Sequence, residues 1–149
     1  MARLDALTVD DLPALMRIER TPGYEGLVGR WEHAAHAAEM ASPDARYLAW
    51  REGETLAGFV ILQEVRQPVV LLRRIAVAAP GAGTGAALLR AAMDRVFETT
   101  GAEGLRLHVH HGNDRARRVY LREGFADLDA DDSGINMLVA RARWAALRS

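Results

Sequence analysis

Two stretches of this chain carry residue types at spacings suited to chemistry. The first runs Val77-Ala78-Ala79-Pro80-Gly81-Ala82-Gly83-Thr84-Gly85. Its alternate glycines let the backbone approach a ligand with no Cβ in the way. Where such a loop opens into a helix, the free N–H groups of the first turn and the helix dipole favour an anion such as a pyrophosphate. Gly81, Ala82, Gly83, Thr84, Gly85 and Ala86 are the expected amide donors. No Lys-Ser or Lys-Thr pair follows the last glycine, so this is not a Walker loop, and the spacing departs from the dinucleotide fingerprint G-x-G-x-x-G. Alone, the stretch reads equally well as a glycine-rich turn before an alanine-rich helix. The second stretch is more specific and begins 28 residues past Gly85, at Asn113. On a helix, Asn113, Ala116 and Tyr120 fall on one face, a small residue between two polar ones, with room for a ligand above it. Asn113 also suits a helix N-cap, and Tyr120 a place in the core.

The elements that must position these residues follow from periodicity and punctuation. A short strand is expected at 4–7. A helix follows, with Thr8, Asp10 and Asp11 at its start and Leu12, Leu15, Met16 and Glu19 at helical spacing. Pro13 is tolerable only in its first turn. Thr21-Pro22-Gly23 breaks that helix, and a second is expected from about 28 to 40, with Val28, Trp31, Ala35 and Ala38 on one side. Ser42-Pro43-Asp44 is a turn. Three strands follow at 46–51, 56–65 and 69–77, the first two joined at Glu52-Gly53-Glu54. The glycine loop then opens into a helix whose apolar face is Leu88, Leu89, Ala92, Met93, Val96 and Phe97, ended by Gly101. Leu105, Leu107 and Val109 alternate as a buried strand. Residues 113–123 form a helix closed by Gly124, and short strands are expected at 125–128 and 136–140. The order βα, α, βββ, α, β, α, ββ implies a mixed α/β layer on one central sheet, and the 149 residues suit one domain.

Composition narrows the chemistry. The net charge is −1 and half of the residues are hydrophobic, which disfavours a disordered tail or a general nucleic-acid binder. All 19 basic residues are arginine, so no lysine Schiff base is available, and the lysine-poor, alanine-rich usage suggests a GC-rich bacterial source. There is no cysteine, which excludes disulfides, thiolate metal ligands and an acyl-cysteine intermediate. No apolar run approaches the ~20 residues of a membrane span, and 1–7 lack a signal-peptide core, so a soluble cytoplasmic protein is expected.

The segment from Asn113 to Phe125 matches N-x-x-A-x-x-[LV]-Y-x-x-x-G-F and resembles the helix that lies against coenzyme A in the GNAT superfamily of N-acetyltransferases. Residues 71–77 are similar to that family's strand leading into its pyrophosphate loop, and Ala57-Gly58-Phe59-Val60 to its earlier G-[FY]-[VI] strand. The N-terminal strand and helix also resemble GNAT, so the likeness covers nearly the whole chain. It departs at Pro80, where the loop pattern [QR]-x-x-G-x-[GA] calls for Gln or Arg. The resemblance implies an α/β fold of α+β type, the GNAT-like acyl-CoA N-acyltransferase fold, with a central mixed sheet flanked by about four helices. It implies acetyl-CoA as co-substrate, held in a cleft between splayed strands at 69–77 and 105–109. The backbone at Ile75, Ala76 and Val77 would meet the pantetheine arm, the loop amides the pyrophosphate, and Asn113, Ala116 and Tyr120 the thioester end. An amine acceptor would be acetylated by direct transfer, one backbone N–H polarising the thioester carbonyl and Tyr120 protonating the departing thiolate. A homodimer is common in the family. A non-catalytic acyl-CoA-binding module of the same fold, and a protein using the loop for another phosphate ligand, stay open as alternatives.

The general base is not selected by spacing. Glu64, near the end of a strand, is one candidate; Glu25, Glu32, His110 and His111 are others. His108 with His110, or His33 with His36, could begin a metal site, but neither pair has a third ligand at suitable spacing, and no metal is expected. Arg115, Arg117, Arg118 and Arg122 make a basic helix face, of which Arg115 or Arg118 could attract the coenzyme's phosphates. Trp31, Trp50 and Trp144 fall on or beside predicted elements and read as core.

Overall fold

A computed structural model describes residues 2–149. Strand β1 (Ala2–Ala6) leads through a 3-10 turn (Val9–Asp11) into α1 (Leu12–Glu19), and α2 (His33–Met40) follows. Then come β2 (Arg46–Glu52), β3 (Thr55–Gln63), β4 (Val69–Val77), α3 (Thr84–Thr99), β5 (Gly104–His110), α4 (Asp114–Arg122), β6 (Ala126–Ala130), β7 (Gly134–Ala140) and α5 (Arg141–Arg148). The strands form one seven-stranded sheet in the order β1-β2-β3-β4-β5-β7-β6. Every neighbouring pair is antiparallel except β4 with β5.

Two apolar clusters cover the two faces. On one, α3 contributes Leu88, Leu89, Ala92, Met93, Val96 and Phe97, packed with Val70, Leu72 and Val77 of β4 and Leu105, Leu107 and Val109 of β5. Tyr120 of α4 joins them, and Trp144 of α5 packs at their edge. On the other face, Leu12, Leu15 and Ile18 of α1 pack with Tyr47, Ala49, Phe59, Ile61 and Ala76, which come from β2, β3 and β4. β5, β6 and β7 give no residue to this second cluster.

The predicted strands and long helices stand where periodicity put them, with two corrections. The second helix begins at His33 rather than near 28. Gly23 and Gly26 take positive φ (99° and 74°), and Tyr24 and Val28 close turns at Thr21 and Tyr24. Residues 21–32 are thus a tied loop, pinned where Arg20 Nη2 bonds Trp31 O at 3.3 Å. α5 was not expected. Its pattern is weak, and tertiary contacts define it: Trp144 stacks on Phe97 (5.1 Å between centroids) and its Nε1 donates to Asp94 at 2.7 Å. With α5 the sheet is flanked by five α-helices.

Candidate active site

β4 and β5 pair only over Val69–Gly104, Val70–Leu105 and Leu71–Arg106. Beyond those pairs the two parallel strands part. A bulge starts the divergence: Ile61 faces Arg74 and Leu62 faces Leu72, which leaves Arg73 with no partner on β3. The amide directions past the bulge follow from the ladder. Ala78 N donates to Ala57 O on the β3 side. Backbone groups alternate sides along a strand, so the N–H groups of Ile75 and Val77 face away from β3, into the gap. Val77 O agrees, since it is free of β3 and accepts from the Tyr24 hydroxyl at 2.5 Å. The gap is therefore edged by unpaired amides, which can hold a ligand's amide carbonyls or polarise a thioester oxygen.

The glycine loop lies at the open end of this gap. Gly81 and Gly83 have φ of 89° and 82°, so both positions require the left-handed region that glycine adopts without penalty. Gly83 is the N-cap of α3, and the first intrahelical bond is Ala87 N to Gly83 O. The amides of Gly83, Thr84, Gly85 and Ala86 thus have no intrahelical acceptor and converge at the helix start. Pro80 removes one side chain from this cradle but none of these amides. The Arg115 guanidinium stands beside it: a Cβ on Gly81 would meet Arg115 Nη1 at 3.9 Å. Arg117, by contrast, is committed to Asp127 at 2.6 Å.

On α4, Asn113 is the N-cap, its Oδ1 accepting from Ala116 N at 3.3 Å. Ala116 is half-buried beside the core, and Tyr120 is in it, 9% exposed and tilted against Phe125. Burial pushes the Tyr120 hydroxyl up to about 12. The phenol therefore keeps its proton near neutral pH, the state a proton donor needs.

Ile75, Val77, Ala116 and Tyr120 share one apolar cluster, and Arg115 of α4 stands beside the loop at Gly81. Ala76 departs from expectation, since its amide faces β3 and its side chain packs on the α1 side, and Glu64 lies elsewhere. Glu64 follows the end of β3, where Gln63 faces Leu71, at the closed end of the gap. Its carboxylate is bound to Arg106 at 2.5 Å. Glu32 is exposed and paired with Arg20 at 3.2 Å, and Glu25 accepts from Gly23 N at 2.8 Å in an exposed turn. His111 Nε2 bonds Asp131 O at 2.7 Å. His36 is fully buried between Glu19 (2.9 Å) and Tyr47 (2.7 Å). Among the described residues no group of three or more His, Cys, Asp or Glu side chains gathers as a metal site.

One buried cluster escaped the sequence reading. Arg74, just past the bulge, bonds Glu19 Oε2 of α1 at 2.6 Å, and both are nearly excluded from solvent. Burial pulls the Arg74 guanidinium below its ordinary range, against the opposing attraction of Glu19. Trp31 lies 4.7 Å from that guanidinium, and a Cβ on Gly29 would collide with its Nη2. The loop over the gap is thus seated on β4. Arg74 beside Arg73 in one strand gave no hint that one of them was buried.

A model of the acetyltransferase (GNAT) family matches residues 12–125. The chain belongs to that family. Its co-substrate is acetyl-CoA, and it is an N-acetyltransferase by that membership. Solved structures repeat the fold. Spermidine N-acetyltransferase from Vibrio cholerae, in complex with CoA and spermine, superposes with a TM-score of 0.82 at 18% identity, over 97% of this chain and 98% of that one. The ribosomal-protein-S18-alanine N-acetyltransferase from Escherichia coli gives 0.78 at 24% identity, over 94% of each chain. PaiA N-acetyltransferase from Thermoplasma acidophilum, in complex with coenzyme A, gives 0.75 at 22%, over 94% and 99%. In this acetyltransferase the motif residues of the loop and of α4 lie within the matched span.

Proposed function

We propose that this acetyltransferase moves the acetyl group directly from acetyl-CoA to a primary amine, with the thioester held between β4 and β5 and Tyr120 as general acid. The observation that carries this reading is the strand gap edged by the amides of Ile75 and Val77. The pyrophosphate rests on the amides of Gly81, Ala82, Gly83, Thr84, Gly85 and Ala86, with Arg115 alongside. Asn113 and Ala116 give the α4 side of the site. The amine lone pair attacks the thioester carbon, and the carbonyl oxygen gathers charge against a β4 amide. The carbon–sulfur bond then breaks, and the thiolate takes its proton from the Tyr120 hydroxyl, which is restored from solvent. With no cysteine in the chain, a ternary complex needs no covalent acyl-enzyme. Among the described residues no helix is long and apolar enough to cross a membrane. In this reading the protein works in a bacterial cytoplasm, alone or as a homodimer, on a diffusible amine rather than on nucleic acid.

Calorimetric titration with acetyl-CoA, against CoA, ATP and NAD, tests the binding half. Thiol release across a panel of amino acids, polyamines and short peptides tests the transfer half. Saturable acetyl-CoA binding and intersecting initial-rate patterns are expected. Parallel patterns would reject direct transfer, and absent acetyl-CoA binding would reject the site.

A further inference from the structure

From the geometry of the β5 face opposite α3 we infer that His108 is the general base, its imidazole fixed by Ser133 and Asp131 so that Nδ1 is the free, unprotonated nitrogen. This rests on the acetyl-transfer reading above. Leu105, Leu107 and Val109 of β5 point into the core with α3 and α4, so Arg106, His108 and His110 point to the opposite face. On that face the α1 cluster draws its sheet residues from β2, β3 and β4. The glycine loop and α3 occupy the coenzyme's side, so an amine reaching the thioester through the gap comes from the His108 face, beside the 21–32 loop that Tyr24 ties to Val77 O.

Level along the strands decides which group it meets. Leu71 is the last β4 residue paired with β5, opposite Arg106. Two residues further on β5 is His108, and on β4, allowing for the bulge at Arg73, is Arg74. Arg74 lies on this same face, bound to Glu19 of α1. His108 thus stands across the opening from the bulge and from Ile75, whose amide faces the gap.

The hydrogen bonds around it select a tautomer. Asp131 caps the β6–β7 hairpin, accepting from Ser133 N at 2.8 Å and Gly134 N at 3.1 Å. The Ser133 hydroxyl donates to Asp131 Oδ1 at 2.6 Å. That commits its one proton, so Ser133 Oγ accepts from His108 Nε2–H, 3.1 Å away. Neutral His108 then presents a lone pair at Nδ1. The hairpin's approach is fixed by Gly134, where a Cβ would collide with Val109 O and lie 2.9 Å from His108 Cε1. The ionisable groups nearest the ring are His110 on its own strand and Asp131 of the hairpin; Arg106 beside it on β5 is paired with Glu64, and Arg73 and Arg74 of β4 lie by Trp31. His110 stacks edge-on at 5.9 Å. Asp131 lies 3.8 Å from Nε2, and Asp129 holds Asn136, the β7 partner of His108, at 2.6 Å.

As the carbon–nitrogen bond forms, the attacking nitrogen becomes acidic and passes its proton to His108 Nδ1. The imidazolium returns that proton to solvent after the thiol leaves. Ser133 and Asp131 are positioning residues, acting through the ring.

H108Q, with the fastest acceptor from the amine panel, is expected to lose about 10²–10³-fold in kcat/KM for the amine and to lose the acid limb of its pH profile. Its acetyl-CoA affinity, read by calorimetry, should match wild type. Imidazole should restore part of the rate to H108A, and S133A should lose less than H108Q. Nitrogen-15 NMR of the wild-type histidines should show Nε2 protonated at His108, a readout that needs no acceptor. An Nδ1–H tautomer, an acid limb that survives in H108Q, or a rate loss that follows lost acetyl-CoA binding would overturn the assignment. A wild-type protein that binds acetyl-CoA and releases no thiol with any amine would remove the transfer reading and the base with it. Turnover in wild type with H108Q unimpaired would remove the base alone.

Discussion

Replacing Arg74 by Met should unfold this protein measurably while leaving the coenzyme loop untouched. Glu19 is 1% exposed and Arg74 7%, and their 2.6 Å bond ties α1 to the β4 bulge. Removing one partner of such a pair strands the other charge away from water, at a cost of about 3–5 kcal/mol. In a domain near this size each kcal/mol moves Tm by about 2–4 °C, so R74M should melt about 6–20 °C lower. Glu19 would keep His36 at 2.9 Å and a weak contact with Arg20 at 3.5 Å, which places the loss toward the lower end of that range. E19Q strands Arg74 instead and should cost a similar amount. The double variant E19Q/R74M leaves neither charge alone, so its cost should fall short of the sum by roughly 2 kcal/mol. Urea unfolding followed by tryptophan fluorescence gives all four corners of the cycle. Single variants costing under about 1 kcal/mol, or costs that simply add, would refute the argument that this pair is a coupled, desolvated clamp.

Y120F should lower kcat by about 10²-fold while acetyl-CoA affinity, measured by calorimetry, stays within about twofold. Because burial holds the Tyr120 hydroxyl near 12, no basic limb from its ionisation should appear in the rate profile below pH 10. G83A meets no neighbouring atom, yet forces alanine to φ 82°; about 1–2 kcal/mol of strain should appear as a lower Tm and weaker acetyl-CoA binding. Asp131 is held down at about 2 by the Ser133 hydroxyl first and then by the Ser133 and Gly134 amides. A carboxyl depressed in the folded state gives stability that is present above its unfolded pKa and lost as pH falls through the folded one. Wild type should therefore lose its advantage over D131N between about pH 4 and pH 2, read as acid unfolding by circular dichroism.

Local pattern fixed much of this molecule. The glycines at 81 and 83, Asn113 as a cap and the 3.6-residue face of Ala116 and Tyr120 are short-range features, governed by φ, capping and helical period. They carried the resemblance to the family before any contact was known. The acceptor side was not legible, because tertiary structure alone decides it. Whether Arg73 or Arg74 is buried depends on a one-residue bulge against β3, and a bulge leaves no periodic trace in a strand of aliphatic and arginine residues. Glu19 meets His36 and Arg74 across 17 and 55 residues of sequence, separations at which no spacing rule operates. Glu64 looked suitable as a carboxylate near a strand end, yet register set it at the closed end of the gap beside Arg106. In sequence His108 offered only a histidine pair with no third ligand; folding brings Ser133 of the β6–β7 hairpin to its ring, with Asp131 behind it. Helical period and turn chemistry are written along the chain, whereas strand register, burial of a charge and the protonation state of an imidazole are properties of neighbours that only folding assembles.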